Sequence, residues 1–220
     1  MSIQTQNALD RFVSKTRDLF GREPDAEKRW TAMTPILAEL LEDPDVMAAS
    51  KKWPACVPRD GRAENLIFYV DPDYGFAVNG LVVEAGGRGY DERGRGKGRI
   101  HDHAHIYTLY GVLDGKQMIQ RYDRLDDRSK PGYAEIRESS DLLVQPGVID
   151  LVRPYEVHSE SNVGERTVAV IIRSQQGGSF NQGRYIPEKN EYYESLGPRQ
   201  TPVDMLDPEH GTGPVHLAKN

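Results

Sequence analysis

The chain has 220 residues, of which 37% are hydrophobic and 28% are charged, and its formal net charge is −6. This length suits one sizeable core with an appended segment, and the acidic balance argues against a nucleic-acid-binding surface. The single cysteine, Cys56, excludes an intrachain disulfide and favours a reducing compartment. No leader pattern and no apolar run of membrane-spanning length is recognisable, so we expect a cytoplasmic protein that contacts neither membrane nor nucleic acid.

The N-terminal quarter has the apolar spacing of helices. A first amphipathic helix is predicted over residues 8–22, because its apolar side chains recur on one helical face. A second is predicted over 25–43, with Asp25 as its N-cap and with Pro35 as a kink or a division into two short helices. One or two further helical turns are expected at 44–52.

From about residue 64 the pattern changes to short β-rich runs separated by Gly, Pro and Asp. Their spacing of roughly ten residues is typical of an antiparallel sandwich or barrel rather than of βαβ units. The sequence from about residue 183 onward is rich in Pro and Gly and is expected to wrap the barrel. We therefore predict a single domain divided into a helical cap (1–55), a β-barrel (56–190) and a C-terminal extension (191–220). The oligomeric state is left open.

Three of the six histidines, His101, His103 and His105, lie at alternate positions. On a strand the rings of His101 and His103 would point to the same face. His158 lies far along the chain before another apolar run, and a closed barrel would bring it to the other two. Three neutral imidazoles with open positions suit Fe(II), Zn, Ni, Cu or Mn. The alternative is three unrelated surface histidines, and the arrangement predicts a metal site at His101, His103 and His158.

Two segments of the chain resemble the two motifs of the cupin superfamily. Residues 98–115 contain His-x-His, then an apolar strand and a glycine that closes the turn, and residues 146–162 contain a Pro-Gly turn, His158 and Asn162. The resemblance implies a mainly β fold, the cupin double-stranded β-helix or jelly-roll barrel, here with a helical N-terminal cap.

The usual first motif also carries a Glu ligand four or five residues beyond the second histidine. Those positions are Tyr107 and Thr108 in this chain, so the resemblance implies that this carboxylate is missing. The missing Glu, the string Ile-His-Asp-His at 100–103 and the helical start together resemble the cysteine dioxygenase family of thiol dioxygenases. That family uses a three-histidine Fe(II) site, although another divalent metal is possible here.

The resemblance implies a non-haem Fe(II) dioxygenase that uses O2 to oxidise a small thiol carboxylate to a sulfinate. Two other functions stay open. One is a cupin dioxygenase that cleaves a small aromatic acid on the same metal site. The other is a cupin that binds a metal or a ligand without catalysis.

The substrate side of the site departs from the thiol dioxygenase pattern. The strand after His158 lacks the Ser-His-Tyr relay and places Ile171, Arg173 and Gln175 at the inward positions, and Thr108 stands where some members have a crosslinking Cys. No residue is therefore assigned an acid–base role. Arg173 is predicted to hold a substrate carboxylate through its paired N–H groups. The further candidate substrate contacts are His105, Tyr107, Thr108 and Gln175.

Overall fold

The computed structural model describes residues 6–60, 62–85, 99–164, 166–211 and 213, and within them three α-helices precede eleven strands. The helices are α1 (Ala8–Arg22), α2 (Ala26–Leu41) and α3 (Pro44–Ser50). The strands are β1 (Glu64–Val70), β2 (Ala77–Val83), β3 (Thr108–Asp114), β4 (Gln117–Arg124), β5 (Ile136–Val144), β6 (Ile149–Val152), β7 (Val157–Asn162), β8 (Thr167–Arg173), β9 (Asn181–Ile186), β10 (Glu191–Leu196) and β11 (Arg199–Pro202).

The helices begin where side chains satisfy their free N–H groups. Asn7 accepts a hydrogen bond from the amide of Asp10, and Asp25 accepts one from Lys28 as predicted, at 2.9 Å. The predicted division of the second helix at Pro35 is wrong, because α2 continues through it. Pro35 and Thr31 both lie on the exposed side of α2, so the carbonyl that loses its helical partner is open to water.

The strands form two main sheets that face each other. The larger sheet has the order β11-β1-β2-β8-β3-β6, the smaller has β5-β4-β7, and β9 pairs with β10. Alternate residues of β8 and β3 point between the sheets, where Ile171 packs in one apolar cluster with Ile119 and Val144 of the smaller sheet. The mainly β fold, a double-stranded β-helix barrel with a helical N-terminal segment, is confirmed.

The helices cover the outer face of the larger sheet. The residues of β8 that alternate with the inward ones, Val168, Val170 and Ile172, pack in one core with the buried faces of α1 and α2. A Cβ at Gly111 of β3 would lie 2.4 Å from Leu41 Cδ1. Glycine at this position therefore lets α2 approach the sheet closely.

The C-terminal residues, which are predicted to wrap the barrel, include strands and contact it. β11 pairs with β1 in parallel, and the Trp53 indole N–H donates to the carbonyl of Met205 at 2.9 Å. These contacts attach residues 199–205 to the barrel. The division of the domain into a cap (1–55), a barrel (56–190) and an extension (191–220) stays a prediction. Among the described residues, no helix combines the length and the apolar character needed to cross a membrane.

Candidate metal centre

His101 and His158 are direct cross-strand partners. The His101 amide donates to the His158 carbonyl at 2.8 Å, and the His158 amide donates back at 2.9 Å. Directly opposed residues of an antiparallel pair present their side chains on the same face. The row of paired residues extends to Arg184 of β9 beside His101 and to Arg121 of β4 beside His158.

His103 reaches the same place through a turn and not along a continuous strand. His101 forms only an isolated bridge, and β3 begins five residues after His103. Between the two histidines, the Asp102 carboxylate accepts hydrogen bonds from the amides of Ala104 (2.7 Å) and Gly183 (3.1 Å) and from the Tyr185 hydroxyl (2.6 Å). Asp102 therefore orients the turn, and Ala104 adopts a left-handed backbone with φ of 52°.

The three imidazoles converge with one carboxylate. One ligand atom from each of His101, His103, His158 and Glu160 lies within 4.8 Å of the other three. The His101 and His103 Nε2 atoms are 3.2 Å apart, and Glu160 Oε1 lies 3.4 Å from His158 Nε2 and 3.9 Å from His101 Nε2. Two ligand atoms at about 2.1 Å from one ion are separated by roughly 3 to 3.4 Å, so the 3.2 Å and 3.4 Å distances suit a shared ion, whereas the 3.9 Å distance is longer.

Hydrogen bonds fix which ring nitrogen faces the cluster. His101 Nδ1 lies 2.9 Å from the carbonyl oxygen of Arg99, and His158 Nδ1 lies 3.0 Å from that of Glu156. A carbonyl only accepts, so each Nδ1 carries the proton and each Nε2 keeps its lone pair. Backbone carbonyls orient metal-binding histidines in this way in many proteins.

Burial keeps two of the imidazoles neutral. It lowers the pKa of His101 to about 3 and the pKa of His103 well below its usual range. Burial acts in the same direction on His158, but the adjacent Glu160 carboxylate outweighs it and raises the pKa of His158. A bound cation would compete with protonation of His158, because imidazole binds metals in its neutral form.

The donor set fits a divalent metal ion. His158 Nε2 is buried without a well-aligned hydrogen bond in the described part of the chain, and its contact with Glu160 Oε1 at 3.4 Å is an ion pair only when the ring is protonated. A metal ion at the centre of the four donors would supply a partner for this nitrogen. Nitrogen and carboxylate donors of this kind suit Fe, Zn, Mn, Ni and Cu alike, so the donor set defines a candidate metal site without selecting the metal.

Glu160 corrects the expectation that this site lacks a carboxylate. The usual position of the Glu is indeed occupied by Tyr107 and Thr108, but β7 supplies a carboxylate from two residues beyond His158. The spacing that links His101 to His103 also places Glu160 and His158 on one face of a strand. The signal for Glu160 was therefore present in the sequence.

Arg173 points into the barrel beside the cluster. Only 4% of its surface is exposed, and its guanidinium donates to Asn79 Oδ1 at 2.9 Å and Asn65 Oδ1 at 3.3 Å. Its positive charge acts on His103 and the charge of Glu160 acts on it, whereas burial lowers its pKa to about 10. Thr108 is its cross-strand neighbour on the same inward face.

The other predicted substrate contacts lie further from the cluster. His105 is exposed, and its Nε2 pairs with Gln175 Oε1 at 3.0 Å. The ring of Tyr107 stacks on Trp30 of α2 with an interplanar angle of 2°, so it lies on the helix side of the sheet. Substrate contact by His105, Tyr107, Thr108, Arg173 and Gln175 stays a prediction.

Fold and donors together define a double-stranded β-helix barrel with a candidate metal centre. No protein-family profile matches the chain, and no curated protein matches it. Similar solved structures include a Bacillus halodurans protein (14% identity, 61% of this chain and 84% of that chain, TM-score 0.41). A Klebsiella pneumoniae protein with a double-stranded β-helix domain is also similar (14% identity, 68% of this chain and 89% of that chain, TM-score 0.36). The cupin domain of Schizosaccharomyces pombe Cnp3 has 11% identity over 51% of this chain and 60% of that chain, with a TM-score of 0.36.

Proposed function

We propose that this protein is a non-haem Fe(II) dioxygenase that uses O2 to convert a small thiol carboxylate into a sulfinate. The observation that supports it most is the juxtaposition of the histidine cluster with the buried Arg173 inside one barrel. His101, His103 and His158 would hold the ion with Glu160 beside them. A ferrous ion supplies the means to bring O2 and a thiolate into reaction.

The residues of the chain bind, orient and exclude water. Arg173 would hold the substrate carboxylate, because a guanidinium matches a carboxylate through two parallel hydrogen bonds. Asn79 keeps Arg173 in place: its amide nitrogen donates to the carbonyl of Leu66, which turns its oxygen toward the guanidinium. The apolar inner positions of β3 and β8, including Tyr110 and Ile171, keep this end of the barrel dry.

The reaction balances without a further reductant. The sulfur of the thiol loses four electrons and O2 gains four, both oxygen atoms form bonds to sulfur, and the sulfinic acid retains the proton or releases it to solvent. No described side chain is required to donate or accept a proton in this overall change. The absence of the Ser-His-Tyr relay therefore leaves the stoichiometry intact.

Glu160 favours a second candidate function. With Glu160 the site would offer three nitrogen donors and one oxygen donor, and fewer positions on the ion would remain for substrate than with three histidines alone. A small aromatic acid that binds through two oxygens is the corresponding substrate class, and a cupin dioxygenase would cleave its ring. The two candidates differ in the atom that O2 oxidises.

Oxygen uptake by the Fe(II)-loaded protein separates the candidates. The panel contains cysteine, 3-mercaptopropionate, mercaptosuccinate and several hydroxylated aromatic acids, and the products are identified by mass spectrometry. We expect uptake with at least one thiol carboxylate and a product heavier by two oxygen atoms. Uptake with an aromatic acid alone would replace the proposed function by the second candidate. No uptake with any substrate would leave a binding protein.

A further inference from the structure

A second arginine, Arg184 of β9, lies beside the cluster of candidate metal ligands, on the side of His101 away from His158. It is the bridge partner of His101, and its charge acts on both His101 and Glu160. Its guanidinium donates to two neutral groups, Ser195 Oγ at 3.0 Å and Gln182 Oε1 at 3.2 Å. Arg184 is only partly exposed, and burial lowers its pKa.

Arg121 lies at the opposite end of the same row of paired residues, next to His158, and it is an arginine that forms ion pairs. Its guanidinium forms ion pairs with Asp150 and with Glu156, the latter at 2.8 Å. Within the ranges that the structure describes, neither Arg173 nor Arg184 forms an ion pair of this kind, and the buried Nε of Arg173 has no hydrogen-bond partner. Buried charges are normally paired, because removing them from water is costly.

The positive charge of the site also favours a ligand that carries more than one negative charge. A divalent ion and two guanidinium groups carry four positive charges, and Glu160 is the carboxylate within the cluster. Arg184 is the bridge partner of His101, and the charge of Arg173 acts on His103 from the barrel interior, so both positive charges act on the ligand cluster. A thiolate with one carboxylate would leave one guanidinium unpaired.

We infer that Arg173 and Arg184 bind two separate carboxylates of one substrate, which makes the substrate a small thiol dicarboxylate. The inference rests on the proposed function for the thiol, and on the two arginines for the dicarboxylate. The two carboxylates would supply the ion pairs that these guanidinium groups lack. Arg184 is then a specificity-determining residue, since it distinguishes a dicarboxylate from a monocarboxylate.

Binding to the metal-free protein tests the arginines without any reaction. Calorimetric titration with succinate and with propionate compares two and one carboxylates on a similar carbon chain. We expect succinate to bind at least about tenfold more tightly than propionate, the worth of one charge-assisted hydrogen-bond pair. Equal affinities, or no binding of either ligand, would overturn the inference.

Variants assign the effect to the two residues. Arg173→Gln and Arg184→Gln should each weaken succinate binding about tenfold or more, and Arg184→Lys should restore part of it because it keeps the charge. Arg11→Gln on α1, which removes an arginine paired with Asp43 far from the barrel interior, should bind like the parent. Thermal unfolding of each variant verifies that it is folded. An Arg184→Gln protein that is folded and binds succinate normally would overturn the role of Arg184.

Kinetics on the iron-loaded protein separate this inference from the proposed function. Arg184→Gln should raise KM for mercaptosuccinate about tenfold more than it raises KM for 3-mercaptopropionate. Thiol oxidation with no preference for mercaptosuccinate would overturn the inference and retain the function. Succinate binding that requires both arginines, without oxidation of any thiol, would retain the two-carboxylate site and overturn the thiol reaction.

Discussion

The two faces of the larger sheet differ in what their side chains do. On β8 the outer residues are uniformly aliphatic and pack against the helices, whereas the inner residues change from Ala169 and Ile171 to the charged Arg173. The outer face is stabilised by apolar area removed from water, and the inner end is stabilised by hydrogen bonds to amides. Neighbouring residues of one strand therefore lie in different environments, and the proposed function concerns only the inner end.

The largest effect is expected from the inner end, at the ligand His158. His158→Ala should weaken metal binding by more than about 100-fold, because loss of even a group behind the ligands costs 10- to 100-fold. Metal content after dialysis, measured by mass spectrometry, tests this. The control is His210→Ala, since His210 is exposed and pairs with Asp207 away from the cluster. Unchanged metal content in a folded His158→Ala protein would contradict the ligand assignment.

A substitution on the outer face should lower the free energy of unfolding and leave metal binding unchanged. Ile172 is fully buried on the helix side, and Ile172→Ala should lower the free energy of unfolding by about 2–5 kcal/mol through lost contacts and a cavity. Metal bound per folded chain should stay the same. Chemical denaturation with parallel metal analysis measures both quantities.

Arg173, which follows Ile172 in the sequence, provides a matched comparison for the free energy of unfolding. Arg173→Gln replaces a buried charge by a neutral amide of similar reach, so the free energy of unfolding should change by less than about 1 kcal/mol or rise. A loss of stability as large as that of Ile172→Ala would mean that Arg173 serves the fold as much as the site.

Local sequence spacing predicted those parts of the molecule that depend on one strand or helix. The His-x-His spacing predicted His101 and His103 as ligands, although a turn and not a continuous strand brings His103 to the site, and the same spacing joins His158 to Glu160 on β7. The role of Arg184 had no local signal, because it depends on pairing between His101 and a strand predicted as part of the C-terminal wrapping. The continuity of α2 through Pro35 likewise depends on which side of the helix meets the sheet.

Gly183 lies against the Asp102 carboxylate, close enough for an added Cβ to displace it. A Cβ at this position would lie 2.4 Å from Asp102 Oδ2, so Gly183→Ala should displace the carboxylate that orients the turn between His101 and His103. We expect a loss of about 1–3 kcal/mol in the free energy of unfolding, typical of overpacking, together with weaker metal binding. Denaturation and metal titration of the same preparation test both. Normal values of both would show that the turn is held by other contacts.

A modest effect on metal affinity is expected from the carboxylate of the candidate ligand set. Glu160→Gln keeps the shape of the side chain and one oxygen donor but removes a negative charge next to the imidazoles, so metal affinity should fall about tenfold. Competition with a chelator of known affinity measures the change, and Glu39→Gln on the exposed side of α2 is the matched control. The same substitution removes the group whose charge opposes those of Arg173 and Arg184, so succinate should bind more tightly to the metal-free variant. Weaker metal binding combined with stronger dicarboxylate binding would place Glu160 in both roles, whereas unchanged metal affinity would reduce the ligand set to the three histidines.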